Sequence, residues 1–127
     1  MKRKMRFVVL VACGILLSLS PVRAGETAYL STMEDVPLLP GLFEVPEEGM
    51  VFDQPEGRIV LAVARCESCG EEVASYYGGL LPALGWQTED ASGGLVFLRD
   101  GERLVIDVQA AVDGGSVVSF TLAPGGM

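Results

Sequence analysis

The sequence has no histidine among its 127 residues, and its nine lysines and arginines are outnumbered by 17 aspartates and glutamates. The missing imidazole excludes Ser-His-Asp catalysis, Cys-His catalysis and histidine-ligated metal sites. The formal charge of −8 argues against a nucleic-acid partner, because phosphate groups are bound by basic patches. A chain of this length is expected to form one domain at most.

Residues 1–24 have the three parts of a secretory signal peptide. Four of the first six residues are basic, residues 7–19 form an apolar run, and Val22 and Ala24 occupy the −3 and −1 positions of a cleavage site. The apolar run has 13 residues, whereas a membrane-spanning helix needs roughly 20. We predict cleavage after Ala24 and a mature chain that is periplasmic or secreted, without a stable membrane span.

Two alternatives concern the same segment. The stretch Leu10–Gly14, which contains Cys13, resembles the lipobox of bacterial lipoproteins, in which the cysteine is acylated after cleavage. Cleavage there would leave only residues 7–12 as the apolar core and would begin the mature chain with exposed apolar residues. Cleavage after Ala24 is therefore the preferred interpretation. The segment could also remain uncleaved as an interfacial anchor.

Removal of the signal peptide makes the chain more acidic. Residues 25–127 hold four arginines, no lysine and all 17 acids, which gives a formal charge of −13. Such a surface keeps a small protein soluble and repels anionic membranes and nucleic acids. We expect a monomer whose protein partner, if it has one, is cationic.

Residues 25–49 are predicted to be an irregular lead-in to the domain. Pro37, Pro40 and Pro46 interrupt any long helix, and the apolar residues of this segment show no sustained period. These residues are nonetheless too apolar for a free linker. We expect Val36–Val45 to lie against the domain and to cover an edge or a face of a sheet.

Residues 50–124 are predicted to form an α+β domain with the order β-α-β-β-β. Apolar or alternating runs between turn residues predict a short extended piece and four strands. They span residues 51–53, 58–64, 95–99, 103–109 and 117–122. Asp100-Gly101 is typical of a two-residue type I′ hairpin. We expect a largely antiparallel sheet with one helix packed on one face.

The helix is predicted from an apolar stripe with a 3.6-residue period. The stripe comprises Val73, Tyr76, Tyr77, Leu80, Leu81 and Leu84. Ser68 and Glu71 have the spacing of a capping box at the start of the helix. Glycines and a proline over Gly78–Pro82 predict a kink, and Gly85 is expected to end the helix.

Cys66 and Cys69 are the two cysteines that follow the signal peptide, and they lie between a predicted strand and the predicted helix. A helix N-terminus favours a thiolate, and a C-x-x-C pair can cycle between thiols and a disulfide. Two nearby thiols in an exporting compartment form a disulfide by default. A structural disulfide is the preferred interpretation, and a redox-active pair or a metal site is the alternative.

Four features weaken the chemical alternatives for this pair. Arg65, not an aromatic residue, precedes the first cysteine, and the β-α-β-β-β order differs from the thioredoxin fold. Gly70 stands where a haem-attachment motif has histidine. Zinc would require two further ligands from carboxylates or from a second chain.

The remaining candidates are interpreted as solvated or packed side chains. Three acidic doublets lack the spacing of a calcium-binding loop and are expected to be exposed. They are Glu47-Glu48, Glu71-Glu72 and Glu89-Asp90. Tyr76, Tyr77 and Trp86 are expected to pack on the core. No catalytic, cofactor-binding or metal-binding residue is assigned.

Three stretches together resemble a family of short exported proteobacterial proteins that has no assigned activity. They are Val36–Leu42, Val51–Val60 and Val73–Trp86, and the last has the pattern V-x-x-Y-Y-x-x-x-L-P-x-L-G-W. The resemblance covers most of the mature chain and implies a location in the bacterial envelope, in the periplasm. It implies no catalytic residue, and the C-x-x-C pair is not part of the family pattern.

The sequence therefore favours a non-enzymatic envelope module that binds or scaffolds a partner. The proline-rich lead-in and an open sheet edge are the expected binding surfaces. The alternative hypothesis is a thiol–disulfide redox protein that uses Cys66 and Cys69.

Overall fold

The structure is a computed structural model of the chain, and it describes residues 27–89 and 95–125. The predicted signal peptide, with its cleavage site at Ala24 and the alternative acylation site at Cys13, lies outside these residues. Asp90 of the third acidic doublet also lies outside them. Within the described ranges, none of the helices has the length and hydropathy needed to span a membrane.

One α-helix, nine strands and a short 3₁₀ helix at Pro46–Glu48 make up the regular structure of the described ranges. The α-helix, α1, spans Gly70–Ala83. The strands are β1 Tyr29–Leu30, β2 Met33–Pro37, β3 Phe43–Glu44, β4 Met50–Gln54, β5 Gly57–Cys66, β6 Gln87–Glu89, β7 Leu95–Arg99, β8 Glu102–Ala110 and β9 Ser116–Pro124. The predicted α+β class is confirmed, as are all five predicted extended segments.

Seven of the strands form one antiparallel sheet. Its order is β3-β5-β9-β8-β7-β6, and β4 pairs with β5 as well. The short strands β3 and β4 therefore lie along the same side of β5, which is ten residues long. The strands β1 and β2 form a separate two-stranded sheet. Because α1 follows β5 and precedes β6, it connects the two sides of the large sheet.

The hairpin between β7 and β8 has the predicted turn. Asp100 and Gly101 both have positive φ angles, 52° and 80°. Positive φ at both central positions defines a type I′ turn, which glycine adopts without steric cost. A second two-residue turn, at Pro55 and Glu56, joins β4 to β5 across the directly opposed pair Gln54 and Gly57.

The helix α1 packs on one face of the sheet, which we call the inner face. Val73, Tyr77 and Leu81 of α1 are fully buried, as their spacing on one helical stripe predicts. The Tyr77 ring contacts the ring of Phe120 on β9 edge to face, with the ring centroids 5.5 Å apart. Trp86, just after the helix, is also buried, so the predicted packing of these aromatic residues on the core is confirmed.

The lead-in packs against the same core. Val36, Leu38, Leu39 and Leu42 are buried in the cluster that contains α1 and the inner face, so the expectation that Val36–Val45 lies against the domain is confirmed. The lead-in also contains β1, β2 and β3, where the sequence predicted no regular structure. These strands have two to five residues, which is too short for a period to appear in the sequence.

The N-terminal end of α1 differs from the prediction, whereas its C-terminal end agrees with it. The N-cap residue is Cys69, and no side chain caps the helix, so the capping box at Ser68 and Glu71 is wrong. The start of the helix is instead fixed by covalent linkage of Cys69 to the end of β5. At the other end, α1 stops at Ala83 and Leu84 is its C-cap, so Leu84 is 43 % exposed. Gly85 follows with a φ of 102°, the left-handed conformation in which glycine commonly ends a helix, so the predicted stop is confirmed.

The opposite face of the sheet, the outer face, carries a second set of apolar side chains. Directly opposed residues of antiparallel strands share a face, and successive residues alternate between faces. Val60 and Ala62 of β5 belong to the core cluster, so their neighbours Ile59, Leu61 and Val63 point to the outer face. Ile59 and Leu61 are only half-buried there.

Candidate functional site

A groove of about 1000 Å³ lies at the end of the sheet where β5 ends and α1 begins. The Cys66–Cys69 pair, the lead-in from Pro40 to Val45 and the turn before β9 line it. We call it the disulfide groove. The two sulfur atoms are bonded to each other, so the predicted disulfide is present. Cys66 and Cys69 are 8 % and 6 % exposed. The disulfide therefore lies at the wall of the groove but is largely shielded from solvent.

Glycine backbone forms part of the wall behind the disulfide. A Cβ atom on Gly115 would lie 2.6 Å from the carbonyl oxygen of Cys66, which is closer than real contacts allow. A Cβ atom on Gly70 would lie 2.9 Å from the Ser116 hydroxyl oxygen. The turn before β9 therefore packs directly on the cysteine loop.

The charges around the disulfide groove are mostly negative. Glu67, Glu72 and Asp113 line it together with one basic residue, Arg65. The Arg65 guanidinium lies 3.4 Å from a carboxylate oxygen of Glu48, so part of its charge is already compensated. Acidic neighbours disfavour a thiolate, whereas the N-terminus of α1 favours one. The two effects oppose each other at the cysteine pair.

A second feature is a row of exposed apolar side chains on β3 and β4, which we call the edge surface. It consists of Phe43, Met50, Val51 and Phe52, which are 71 %, 50 %, 47 % and 49 % exposed. Scattered apolar residues on a surface are ordinary, whereas several exposed ones close together indicate an interaction site. Met50, Val51 and Phe52 are consecutive on β4, and Phe43 lies further along the same side of β5, opposite Arg65. Phe43 also lines the disulfide groove, so the edge surface and the groove adjoin.

The strand register extends the edge surface onto the outer face. Met50 lies opposite Leu61, and Phe52 lies opposite Ile59. Opposed residues share a face, so these four side chains form one apolar strip across β4 and β5. The strip lies on the side of the sheet away from α1.

The segment that carries the edge surface is strongly acidic. Between residues 43 and 57 there are five acids and no lysine or arginine. They are Glu44, Glu47, Glu48, Asp53 and Glu56. Two arginines of β5 compensate part of this charge, because Arg58 lies opposite Asp53 and Arg65 forms an ion pair with Glu48. Acids outnumber bases around the exposed apolar row.

The predicted acidic doublets do not converge. Glu47, Glu48, Glu71 and Glu72 are exposed, as expected for solvated side chains. Glu89 is instead half-buried, because its carboxylate lies 3.2 Å from the guanidinium of Arg103, so the expected exposure is wrong for this residue. Among the residues that the structure describes, no group of three or more Cys, Asp and Glu side chains is arranged to hold a metal ion. The edge surface itself was not identified from the sequence. Its signal is the run Met50-Val51-Phe52, whose side chains alternate between the two faces and are exposed on both.

Comparison of the chain with protein-family models, with curated proteins and with solved structures gave no match.

Proposed function

We propose that the mature chain is a non-enzymatic module of the bacterial envelope that binds a protein partner at the edge surface. The observation that carries the proposal is the row Phe43, Met50, Val51 and Phe52, each about half exposed or more, along one side of the sheet. Burial of apolar area is the main favourable term in protein association. A partner that covers this row would gain that term without any rearrangement of the domain.

The envelope location in this proposal rests on the sequence. The segment 1–24 has the three parts of a signal peptide, and the resemblance to exported proteobacterial proteins points to the same compartment. The Cys66–Cys69 disulfide is compatible with an oxidising compartment, where such bonds persist.

Site-specific photocrosslinking in the producing cells tests the binding role. A photoreactive phenylalanine replaces Phe52 on β4, and the matched control places it at the exposed Gln87 on β6, at the opposite side of the sheet. We expect a discrete crosslinked protein adduct from position 52 and none from position 87. Equal labelling at both positions, or no adduct at position 52, would contradict the proposal.

A thiol–disulfide function is a second candidate, because Cys66 and Cys69 line a groove at the N-terminus of α1. The reduction potential of the pair discriminates the two functions. A value below about −300 mV is typical of a structural bond, whereas about −120 to −200 mV is typical of an active one. The burial of both half-cystines and the acidic groove favour the lower value.

The double variant Cys66→Ser/Cys69→Ser completes this test. The bond closes a short loop, so its loss is expected to cost about 2 kcal/mol of the free energy of unfolding. If the variant is folded, keeps its crosslinks from position 52 and keeps the cellular phenotype, the disulfide is structural. A folded variant that loses the cellular phenotype of the protein while keeping those crosslinks would support the redox candidate instead.

A further inference from the structure

We propose that β4 binds an extended basic polypeptide segment as an additional strand of the sheet. This inference rests on the proposed function, because it specifies what occupies the edge surface. It depends on three features of the edge: the direction of the backbone groups, the faces of the side chains and the sign of the charge.

Among the residues that the structure describes, β4 pairs with β5 alone, so the backbone groups on its other side are available to a partner strand. Gln54 and Gly57 pair directly across a two-residue turn, and only a hydrogen-bonded pair fits that geometry. Hydrogen-bonded and non-hydrogen-bonded pairs alternate along an antiparallel ladder. Val51 and Asp53 consequently belong to the non-hydrogen-bonded pairs with β5, and their N–H and C=O groups point away from β5, toward the open side.

The side chains of β4 define the pattern of the partner. Met50 and Phe52 lie on the outer face beside Leu61 and Ile59, so a neighbouring strand would place apolar side chains there. Asp53 lies on the other face, directly opposite Arg58 of β5, and a basic side chain of the partner strand would approach Asp53 from the open side of β4. An extended segment in which apolar and basic residues alternate fits both faces, because side chains of a strand alternate.

The charge decides between a foreign segment and a second copy of this chain. Two copies paired through β4 would bring together two segments that each carry five acids and no base over residues 43–57. Like charges at close range oppose such pairing, whereas a lysine-rich segment is attracted. The acidic border therefore selects a basic partner and disfavours self-association.

The other outer strand of the sheet provides an internal contrast. β6 has three residues, Gln87, Thr88 and Glu89, and all three are polar. Short and charged outer strands are the common protection against unwanted pairing. β4 has five residues, of which the first three are apolar and exposed. The outer strand β6 therefore has features that disfavour pairing with another chain, whereas the outer strand β4 has features that favour it.

The test uses the full mature chain and a nine-residue peptide of alternating lysine and valine, blocked at both ends. Val51→Pro removes an N–H group that points away from β5, and proline is tolerated at such positions. Val51→Thr keeps that N–H group and is the matched control. We expect the peptide to bind, with affinity about tenfold lower for Val51→Pro and nearly unchanged for Val51→Thr.

Hydrogen exchange on the unaltered chain gives a readout that does not depend on the proline variant folding. Addition of the peptide should slow exchange of the Val51 and Asp53 amides. The Phe52 amide, which points toward β5, should change little. Equal protection of all three amides, or of none, would overturn strand addition.

Further binding measurements test whether the partner segment must be basic. The same peptide with glutamate in place of lysine should not bind, and salt should weaken the lysine peptide. If the glutamate peptide binds equally, the basic partner is wrong. If the chain alone forms dimers that Val51→Pro dissociates, the occupant is a second copy and the proposal fails.

The photocrosslink at position 52 separates this inference from the proposed function. Adducts that persist in the Val51→Pro variant would leave the binding function standing and would overturn strand addition. If no adduct forms from position 52 in the otherwise unaltered chain, both the binding function and strand addition are overturned.

Discussion

The buried hydroxyl of Tyr77 donates a 2.6 Å hydrogen bond to the carbonyl oxygen of Pro37. The Tyr77 hydroxyl oxygen in turn accepts a 3.1 Å hydrogen bond from the N–H group of Leu39. One side chain of α1 thereby satisfies two backbone groups of the lead-in that are buried with it. This pair of bonds explains how a proline-rich segment can lie in the core. Without them, buried backbone N–H and C=O groups would lack hydrogen-bond partners, which costs free energy.

Tyr77→Phe should destabilise the domain by about 1–3 kcal/mol, because it removes both bonds and leaves the buried Leu39 N–H group unpaired. The free energy of unfolding in urea measures the effect. Tyr76→Phe, which removes a hydroxyl from the half-buried neighbouring ring, is the control and should change stability much less. Equal losses in the two variants would contradict the role assigned to the Tyr77 hydroxyl.

Stability should also fall at alkaline pH through the same residue. Burial raises the pKa of Tyr77 above its ordinary value of 10.0, the hydrogen bond from Leu39 lowers it in part, and the neighbouring Tyr76 raises it further. Below pH 10 Tyr77 is neutral in both the folded and the unfolded chain, so its contribution to the free energy of unfolding is fully present. Above pH 10 it ionises first in the unfolded chain, which lowers the free energy of unfolding as pH rises.

Urea unfolding between pH 8 and 11 measures this dependence, with Tyr77→Phe as the reference. The difference in stability between the two proteins should shrink by up to about 1.4 kcal/mol for each pH unit above 10. A difference that stays constant across this range would show that Tyr77 ionises equally readily in both states.

Arg99 joins three parts of the domain, and its loss should be measurable. Its guanidinium carbon lies 4.2 Å from the centroid of the Trp86 ring, and it forms an ion pair with Asp35 and a 3.3 Å hydrogen bond to the Leu84 carbonyl. Arg99→Ala should cost about 1–2 kcal/mol, as expected for a partly buried cation–π contact together with an ion pair.

Thermal unfolding of the matched variant Arg65→Ala provides the comparison. Arg65 pairs with Glu48, and both side chains are 45 % exposed, so this change should cost about 0.5 kcal/mol or less. A larger loss from Arg65→Ala than from Arg99→Ala would contradict the interpretation.

Gly78→Ala should stabilise the domain by about 0.5–1 kcal/mol, because alanine has the higher helix propensity. The position lies inside α1, and an added Cβ atom would meet nothing within 4 Å. Gly115→Ala is the opposite case, because its Cβ atom would meet the Cys66 carbonyl, and it should destabilise. Urea unfolding of both variants measures the contrast, and a destabilised Gly78→Ala would show that α1 depends on glycine there.

The sequence predicted those helices and strands whose apolar period extends over several residues or that flank a characteristic turn dipeptide. The stripe containing Val73, Tyr77 and Leu81 located α1, and Asp100-Gly101 located the β7–β8 hairpin with its positive φ angles. The capping prediction at Ser68 failed for a covalent reason. Cys69 is tied to Cys66, so the helix begins one residue later than the side-chain pattern suggests.

The candidate site was less accessible to sequence reasoning. The cysteine pair and its disulfide were predicted from two residues and a spacing. The edge surface was not, because Met50-Val51-Phe52 reads as an ordinary short strand whichever position it takes in a sheet. Its exposure depends on β9, more than 50 residues further along the chain, which occupies the other side of β5.

The sequence alone determined the longer elements of this protein, its acidic charge and the spacing that lets Cys66 and Cys69 pair, because propensity, charge and spacing are local properties. Only the tertiary structure decided which strands lie at the sides of the sheet, which apolar residues stay exposed and what covers the lead-in. Those outcomes follow from pairing between distant segments. The Tyr77 hydroxyl shows the same dependence. It stabilises the fold through hydrogen bonds to the Pro37 carbonyl and the Leu39 amide, which lie far away in the sequence.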